Sequence, residues 1–233
     1  MNEVVRDIEA GGLRWYPQYG FGYLPVHQHG EKHDYWDHYM ECQDSAIGRQ
    51  LNRFRVRLVK TYVPDGLVLD IGIGSGAFIR AHGNALGFDV DPQAVDWLRR
   101  NELYFTPYDP YQSLDRFDAV TLWDSLEHMR CPALLLDSIL PGQYVFVSLP
   151  IFDRMEDVPR SKHYKPHEHY LYFTAGGLKA YMARYDLHCS KETWEETEIG
   201  REDIGTFVFR KAEKVDQHEY EYDEARRAVC AAC

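Results

Sequence analysis

The chain has 233 residues, 45% of them apolar and 27% charged, with 26 basic against 37 acidic side chains and a formal net charge of −11. This composition excludes a disordered or fibrous protein and fits one folded domain with appended segments better than two independent cores. The acidic balance repels a phosphate polymer and disfavours nucleic acid as a partner, and no apolar run approaches the roughly 18 residues that cross a bilayer.

Residues 1–42 mix glycine, proline, aromatics and histidines without steady periodicity, which predicts an irregular arm. The five cysteines (Cys42, Cys131, Cys189, Cys230, Cys233) are odd in number and scattered, as expected of reduced thiols. Cys230-x-x-Cys233 reads as part of a frayed tail rather than a metal or redox site. With a charged start at Asn2–Asp7 in place of a signal-peptide core, the expected location is cytoplasmic.

From Ser45 onward Ile47, Leu51, Phe54, Leu58 and Tyr62 recur at helical spacing, which predicts an amphipathic helix stopped by Pro64-Asp65-Gly66. Strand and helix patterns then alternate. Strands are expected at Leu67–Ile71, Leu86–Val90, Leu103–Thr106, Phe117–Trp123 and Gln143–Leu149, with a helix opening at Asp91-Pro92 and another around Ala133–Leu140. Such alternation specifies crossover units and a mostly parallel sheet. After a helix at Ala175–Tyr185, runs at Asp186–Thr197 and Asp203–Lys211 read as a hairpin, so the sheet should end in an antiparallel strand.

The chemistry concentrates after the first parallel strand. Gly72, Gly74 and Gly76 form a strand-to-helix turn whose backbone N–H groups can approach a ligand without an intervening Cβ. Asp89 ends the second strand, where a carboxylate can accept two ribose hydroxyls. Gly72-x-Gly74-x-x-Ala77 also satisfies the dinucleotide pattern, so an NAD(P)- or flavin-dependent oxidoreductase is the competing reading. Asp70 argues against it. A carboxylate inside an apolar strand needs a donor or cation, which a pyrophosphate does not offer and an ammonium-bearing cofactor does.

Several segments together resemble the ordered motifs of class I S-adenosylmethionine-dependent methyltransferases. They are LVLDIGIGSGAF at 67–78, Gly87–Pro92, Phe117–Val120 with Trp123–His128, and Leu140-Pro141-Gly142. The Leu126-Glu127-His128 run and the stretch His167–Thr174 look most similar to the small-molecule branch that includes ubiquinone-biosynthesis-like O-methyltransferases. The resemblance implies a Rossmann-like, seven-stranded, mostly parallel α/β sheet with a C-terminal antiparallel strand and helices on both faces. It divides the chain into an arm and amphipathic helix forming a lid (1–63), a cofactor-binding domain (64–211) and a polar tail (212–233).

Carried over position by position, it places Asp70, Gly72, Gly74 and Gly76 at the methionine end of S-adenosylmethionine, Asp89 on the ribose and Val90 beside the adenine. Asp109 is the candidate facing the adenine amino group, and Trp123 and Asp124 lie near the sulfonium or the acceptor. Tyr39, among the aromatics before the helix, would close over the cofactor, and Arg53 or Arg55 would pair its carboxylate. His128 and His169 are the candidate bases for the acceptor's proton. Methyl transfer requires no metal, and the run His27, His29, His33, His38 and Cys42 matches no familiar zinc spacing, so it is read as part of a lid. The segment Trp123–Leu126 stands where amine-directed base methyltransferases carry an Asp/Asn-Pro-Pro-aromatic element, which, with the acidic charge, points to a small acceptor or a protein side chain rather than duplex nucleic acid. A non-catalytic binding or assembly subunit of the same fold is the second alternative.

Overall fold

The computed structural model describes residues 6–7, 12–16, 19–24, 35–109 and 113–213. His27, His29 and His33, the tail beyond residue 213 and its two cysteines lie outside the described residues. Three short strands, β1 (Arg6–Asp7), β2 (Arg14–Tyr16) and β3 (Phe21–Tyr23), precede helices α1 (Tyr35–Gln43) and α2 (Ala46–Tyr62). Then follow β4 (Val68–Ile71), α3 (Ala77–His82), β5 (Ala85–Phe88), α4 (Pro92–Arg100), β6 (Ala119–Trp123), α5 (Ala133–Leu136) and β7 (Tyr144–Pro150). The chain continues through β8 (Leu171–Phe173), α6 (Ala175–Ala183), β9 (Leu187–Thr193), α7 (Glu195–Ile199) and β10 (Ile204–Lys211).

The central sheet has six strands in the order β5-β4-β6-β7-β10-β9, parallel from β5 to β7 and antiparallel through β10 and β9. Seven were expected. The missing one is the segment 103–106, which runs beside β5 but makes a single bridge, Gly87 to Tyr104, fixed by Gly87 N–H to Leu103 O at 2.8 Å and Phe105 N–H to Gly87 O at 2.9 Å. Glu102 sits at φ +58° just before it, and Pro107, which has no N–H to give, follows it, so the ladder has no room to lengthen. The loop between β9 and β10 is likewise more than a turn, because α7 folds inside it.

Strand alternation sorts the core into two layers. Val68, Ala119, Trp123, Phe146 and Val208 face α2, α3 and α4, packing on Phe54, Leu58, Val59, Phe78 and Leu98. Leu69, Val120, Leu122, Val145, Val147, Phe207 and Phe209 face the other way, onto Leu135, Leu178 and Met182 of α5 and α6. Each fully buried Leu or Phe contributes about 1.5–3 kcal/mol. The expected cap at Asp91 forms, its Oδ1 accepting from Gln93 N–H at 2.7 Å to open α4 with Pro92 at its first position, and Ser45 Oγ caps α2 as well, accepting from Gly48 N–H at 2.9 Å.

The described part of residues 1–42 is more regular than its sequence suggests. A second sheet, ordered β1-β2-β3-β8, is antiparallel throughout and joins the N-terminal strands to residues some 150 positions away. Leu13, Trp15 and Leu24 are buried with Phe152, Val158 and Tyr172 in a core of their own. Cys42 and Cys189 are free, while Cys131 is disulfide-bonded, which corrects the expectation that every cysteine is reduced.

Candidate functional site

The glycine loop leaves β4 in left-handed backbone: Gly72, Gly74 and Gly76 have φ of +78°, +53° and +72°. At Gly72 a Cβ would collide with Ser125 Oγ, and at Gly76 it would stand 2.7 Å from the Trp97 ring. Neither position admits a larger residue on conformational or steric grounds. The Tyr39 ring of α1 lies 3.5 Å from the Cβ position of Gly74, so the first helix sits over the loop. Beyond β5, Asp89 Oδ1 accepts from Asp91 N–H at 2.9 Å, and burial, partly offset by backbone N–H groups, raises its pKa. Val90 beside it is 87% exposed.

Parallel register places Asp70 opposite Thr121, and Thr121 Oγ1 donates to Asp70 Oδ1 at 2.6 Å. The Asp70 carboxyl is almost fully enclosed, and that burial, against the Thr121 hydrogen bond and the more distant Arg55, pushes its pKa up to about 7. The row continues across the sheet. Trp123 stands opposite Ser148, and Ser148 opposite Thr206, with the two hydroxyls 2.9 Å apart.

Above this row four charges interlock. Arg55 donates to Glu196 at 2.8 and 3.0 Å and to Asp124 at 3.0 Å, while Arg201 donates to Asp124 at 2.9 Å through two nitrogens and to Glu196 at 2.6 Å. Ser148 Oγ adds a bond to Glu196 at 2.7 Å. Burial opposes ionisation of Asp124, but Arg201 and Arg55 outweigh it and hold the carboxyl well below its ordinary value. Asp124 itself is in left-handed backbone at φ +53°. The Arg55 guanidinium also lies 4.9 Å from the Trp123 ring centre, and Trp123 Nε1 is buried without a hydrogen-bond partner among the described residues.

Past Ser125 the chain presents Glu127 and His128, and the segment before β8 brings His169 against them. The two imidazoles are 4.6 Å apart and perpendicular. Tyr170 N–H donates to Glu127 O at 2.8 Å, pinning the two segments together. Burial, then the neighbouring His128, drives the pKa of His169 down to about 2, and burial also lowers that of His128. Burial and the nearby Asp124 raise the Glu127 carboxyl well above its usual range.

Residues 36–192 match the family described as Methyltransferase domain, about two thirds of the chain. The chain belongs to that methyltransferase family. Its fold neighbours agree. A Burkholderia thailandensis 1,6-didemethyltoxoflavin-N1-methyltransferase, solved with 1,6-didemethyltoxoflavin and S-adenosylhomocysteine, is 14% identical with a TM-score of 0.56, covering 90% of this chain and 99% of that one. S-adenosylmethionine-dependent methyltransferases from Archaeoglobus fulgidus and Thermotoga maritima are each 15% identical with a TM-score of 0.54. They cover 77% and 75% of this chain and 100% and 95% of their own. No curated protein matches.

The cofactor of the family is S-adenosylmethionine. The loop after β4, where a Cβ at Gly72 would strike Ser125 and one at Gly76 would strike Trp97, runs between the carboxyl groups of Asp70 and Asp89, a donor and acceptor set that suits an ammonium and ribose hydroxyls. The dinucleotide reading is not favoured. Of the residues nominated from sequence, the structure brings Asp70, the three glycines and Tyr39 together, with Asp89 and Val90 at the next strand end. Asp109 follows Tyr108, whose ring packs edge-on against Phe88 at 5.2 Å, at the end of β5. Arg55 is engaged by Asp124 and Glu196. Thr121, Ser125, Glu127, Glu196 and Arg201 escaped nomination. For Thr121 the signal was a polar residue in an otherwise apolar strand; for Glu196 and Arg201 the sequence held none, since their partners are set by tertiary register.

Proposed function

We propose that the protein is an enzyme that moves a methyl group from S-adenosylmethionine to an oxygen or nitrogen of a small-molecule acceptor by in-line displacement. The observation that carries this reading is the left-handed glycine loop set between the Asp70 and Asp89 carboxylates at adjacent strand ends. When bound, the cofactor supplies a methyl carbon already activated by a positive sulfonium. The chain's own task is then alignment and exclusion of water.

In this reading Asp70 faces the ammonium, the loop N–H groups and Gly72, Gly74 and Gly76 take the methionine portion, and Asp89 holds the ribose hydroxyls. Val90 and Asp109 flank the adenine, Tyr39 covers the loop, and Trp123 borders the reacting end. Arg55, saturated by two carboxylates, is assigned to holding α2 in place rather than to the cofactor's carboxylate. The acceptor's proton leaves toward the Glu127, His128 and His169 group, of which His128 is exposed. A net charge of −11 supports a small acceptor over a nucleic acid, and the fold neighbour named as a 1,6-didemethyltoxoflavin-N1-methyltransferase supports an acceptor of small-molecule size.

The test is to incubate the protein with methyl-labelled cofactor and a metabolite extract, following the label by mass spectrometry. Label appearing on a small molecule, and lost with Asp89→Ala, is the expected result. Tight cofactor binding with no labelled product from extract, protein or nucleic acid would support the non-catalytic subunit instead.

A further inference from the structure

Cofactor binding gives no reason for Glu127, His128 and His169 to converge. Each offers a ligand atom, and these atoms all lie within 4.8 Å of one another. A shell with bonds of about 2.1 Å sets its ligands roughly 3–3.5 Å apart, a contraction that side-chain rotation can supply. Glu127 is 2% exposed, yet its Oε2 accepts no hydrogen bond from any of the described residues. An enclosed carboxylate oxygen with no donor is costly; a proton or a bound cation removes that cost, and two imidazoles beside it are the partners a cation would share. Lys165, the amine that acts on these groups, has its ammonium on Glu168 at 3.0 Å.

The histidines are prepared as ligands. His128 Nδ1 donates to the Glu168 carbonyl at 3.0 Å, which fixes the tautomer and leaves a lone pair on Nε2. His169 is buried behind it, and the Tyr170-to-Glu127 main-chain bond sets the spacing of the two segments. His128 is exposed, so the group opens to solvent on one side.

We propose that Glu127, His128 and His169 form a binding site for one divalent first-row transition ion, with coordination positions left open beside His128. Two imidazoles and one carboxylate suit zinc, manganese, iron(II) or cobalt(II) rather than calcium or magnesium. Ser125 links this group to the cofactor crevice, since it abuts Gly72 and lies two residues before Glu127. A hydroxyl of the acceptor coordinated there would have its pKa lowered and release its proton to solvent. That use rests on the methyltransferase reading; the site itself does not.

The full chain, stripped with a chelator, is titrated with Co2+ while its visible absorption is followed, and S-adenosylhomocysteine binding is measured separately by calorimetry. One Co2+ per chain with ligand-field bands is expected, weakened at least tenfold by Glu127→Gln and by His128→Ala, with S-adenosylhomocysteine affinity unchanged within twofold in His128→Ala. Because His128 is exposed, its variant serves where the buried Glu127 variant fails to fold. Absence of stoichiometric uptake, or uptake indifferent to His128→Ala, overturns the site. Failure of S-adenosylhomocysteine to bind the unmodified chain would count against the crevice reading alone, with the Co2+ result still deciding the metal site.

Discussion

Asp70 holds a carboxyl whose pKa burial moves from 3.8 to about 7. The native chain therefore binds a proton that the unfolded chain gives up across that interval, and stability falls as pH rises through it. Above pH 7 the full cost of about 4 kcal/mol is present. Asp70→Asn should raise the melting temperature of the cofactor-free protein at pH 8 by several degrees and change it little at pH 4, while weakening S-adenosylhomocysteine binding at least tenfold at pH 8. Thermal melts with and without ligand check both, and an equal gain at the two pH values would refute the assignment. At Gly76 the left-handed φ and the Trp97 ring act together, so Gly76→Ala should cost about 1–3 kcal/mol in urea unfolding. Asp70, Asp89 and the glycines were legible in the sequence because strand, turn and helix fix them locally. Thr121 and Ser148 were not, since their meaning comes from the residue opposite on the neighbouring strand.

At the level of elements, the Arg55, Asp124, Glu196 and Arg201 quartet ties α2 to the end of β6, to α7 and to the approach to β10. Glu196 is fully buried, so removing one guanidinium leaves negative charge with too little compensation. Arg201→Met should cost about 3–5 kcal/mol in denaturant titrations, and adding Glu196→Met should recover a substantial part of it. Independent, additive losses in the pair would show that the four side chains are not one network. The helices are readable by their periodicity, and α4 also by its cap at Asp91. The seventh strand does not form because Leu103–Thr106, strand-like in its side chains, is bounded by a left-handed Glu102 and by Pro107.

For the whole molecule, no helix of the described residues is long and apolar enough to cross a membrane, and the core divides cleanly across the sheet. The N-terminal strands belong to that core as much as to any cover. Phe21 packs between Phe173 and Tyr181 at ring distances of 5.6 and 5.4 Å, and Trp15 is 2% exposed. Deleting residues 1–24 should therefore lower the melting temperature by 10 °C or more, about what losing several buried aromatics implies; an unchanged melt would mean that these strands only rest on the surface. None of this was visible in the sequence. Strands of two or three residues carry no alternation to detect, and their partner in β8 follows far along the chain.

That second sheet has an outcome for how such a protein can diversify. Its last strand begins two positions after His169, so the opening stretch of the polypeptide buttresses the segment that carries this imidazole, while the glycine loop is built from residues of the middle. Under the proposed function, substitutions in the first two dozen residues would reach the acceptor side through β8 and leave the donor loop alone, provided that the buried Trp15 and Phe21 are kept.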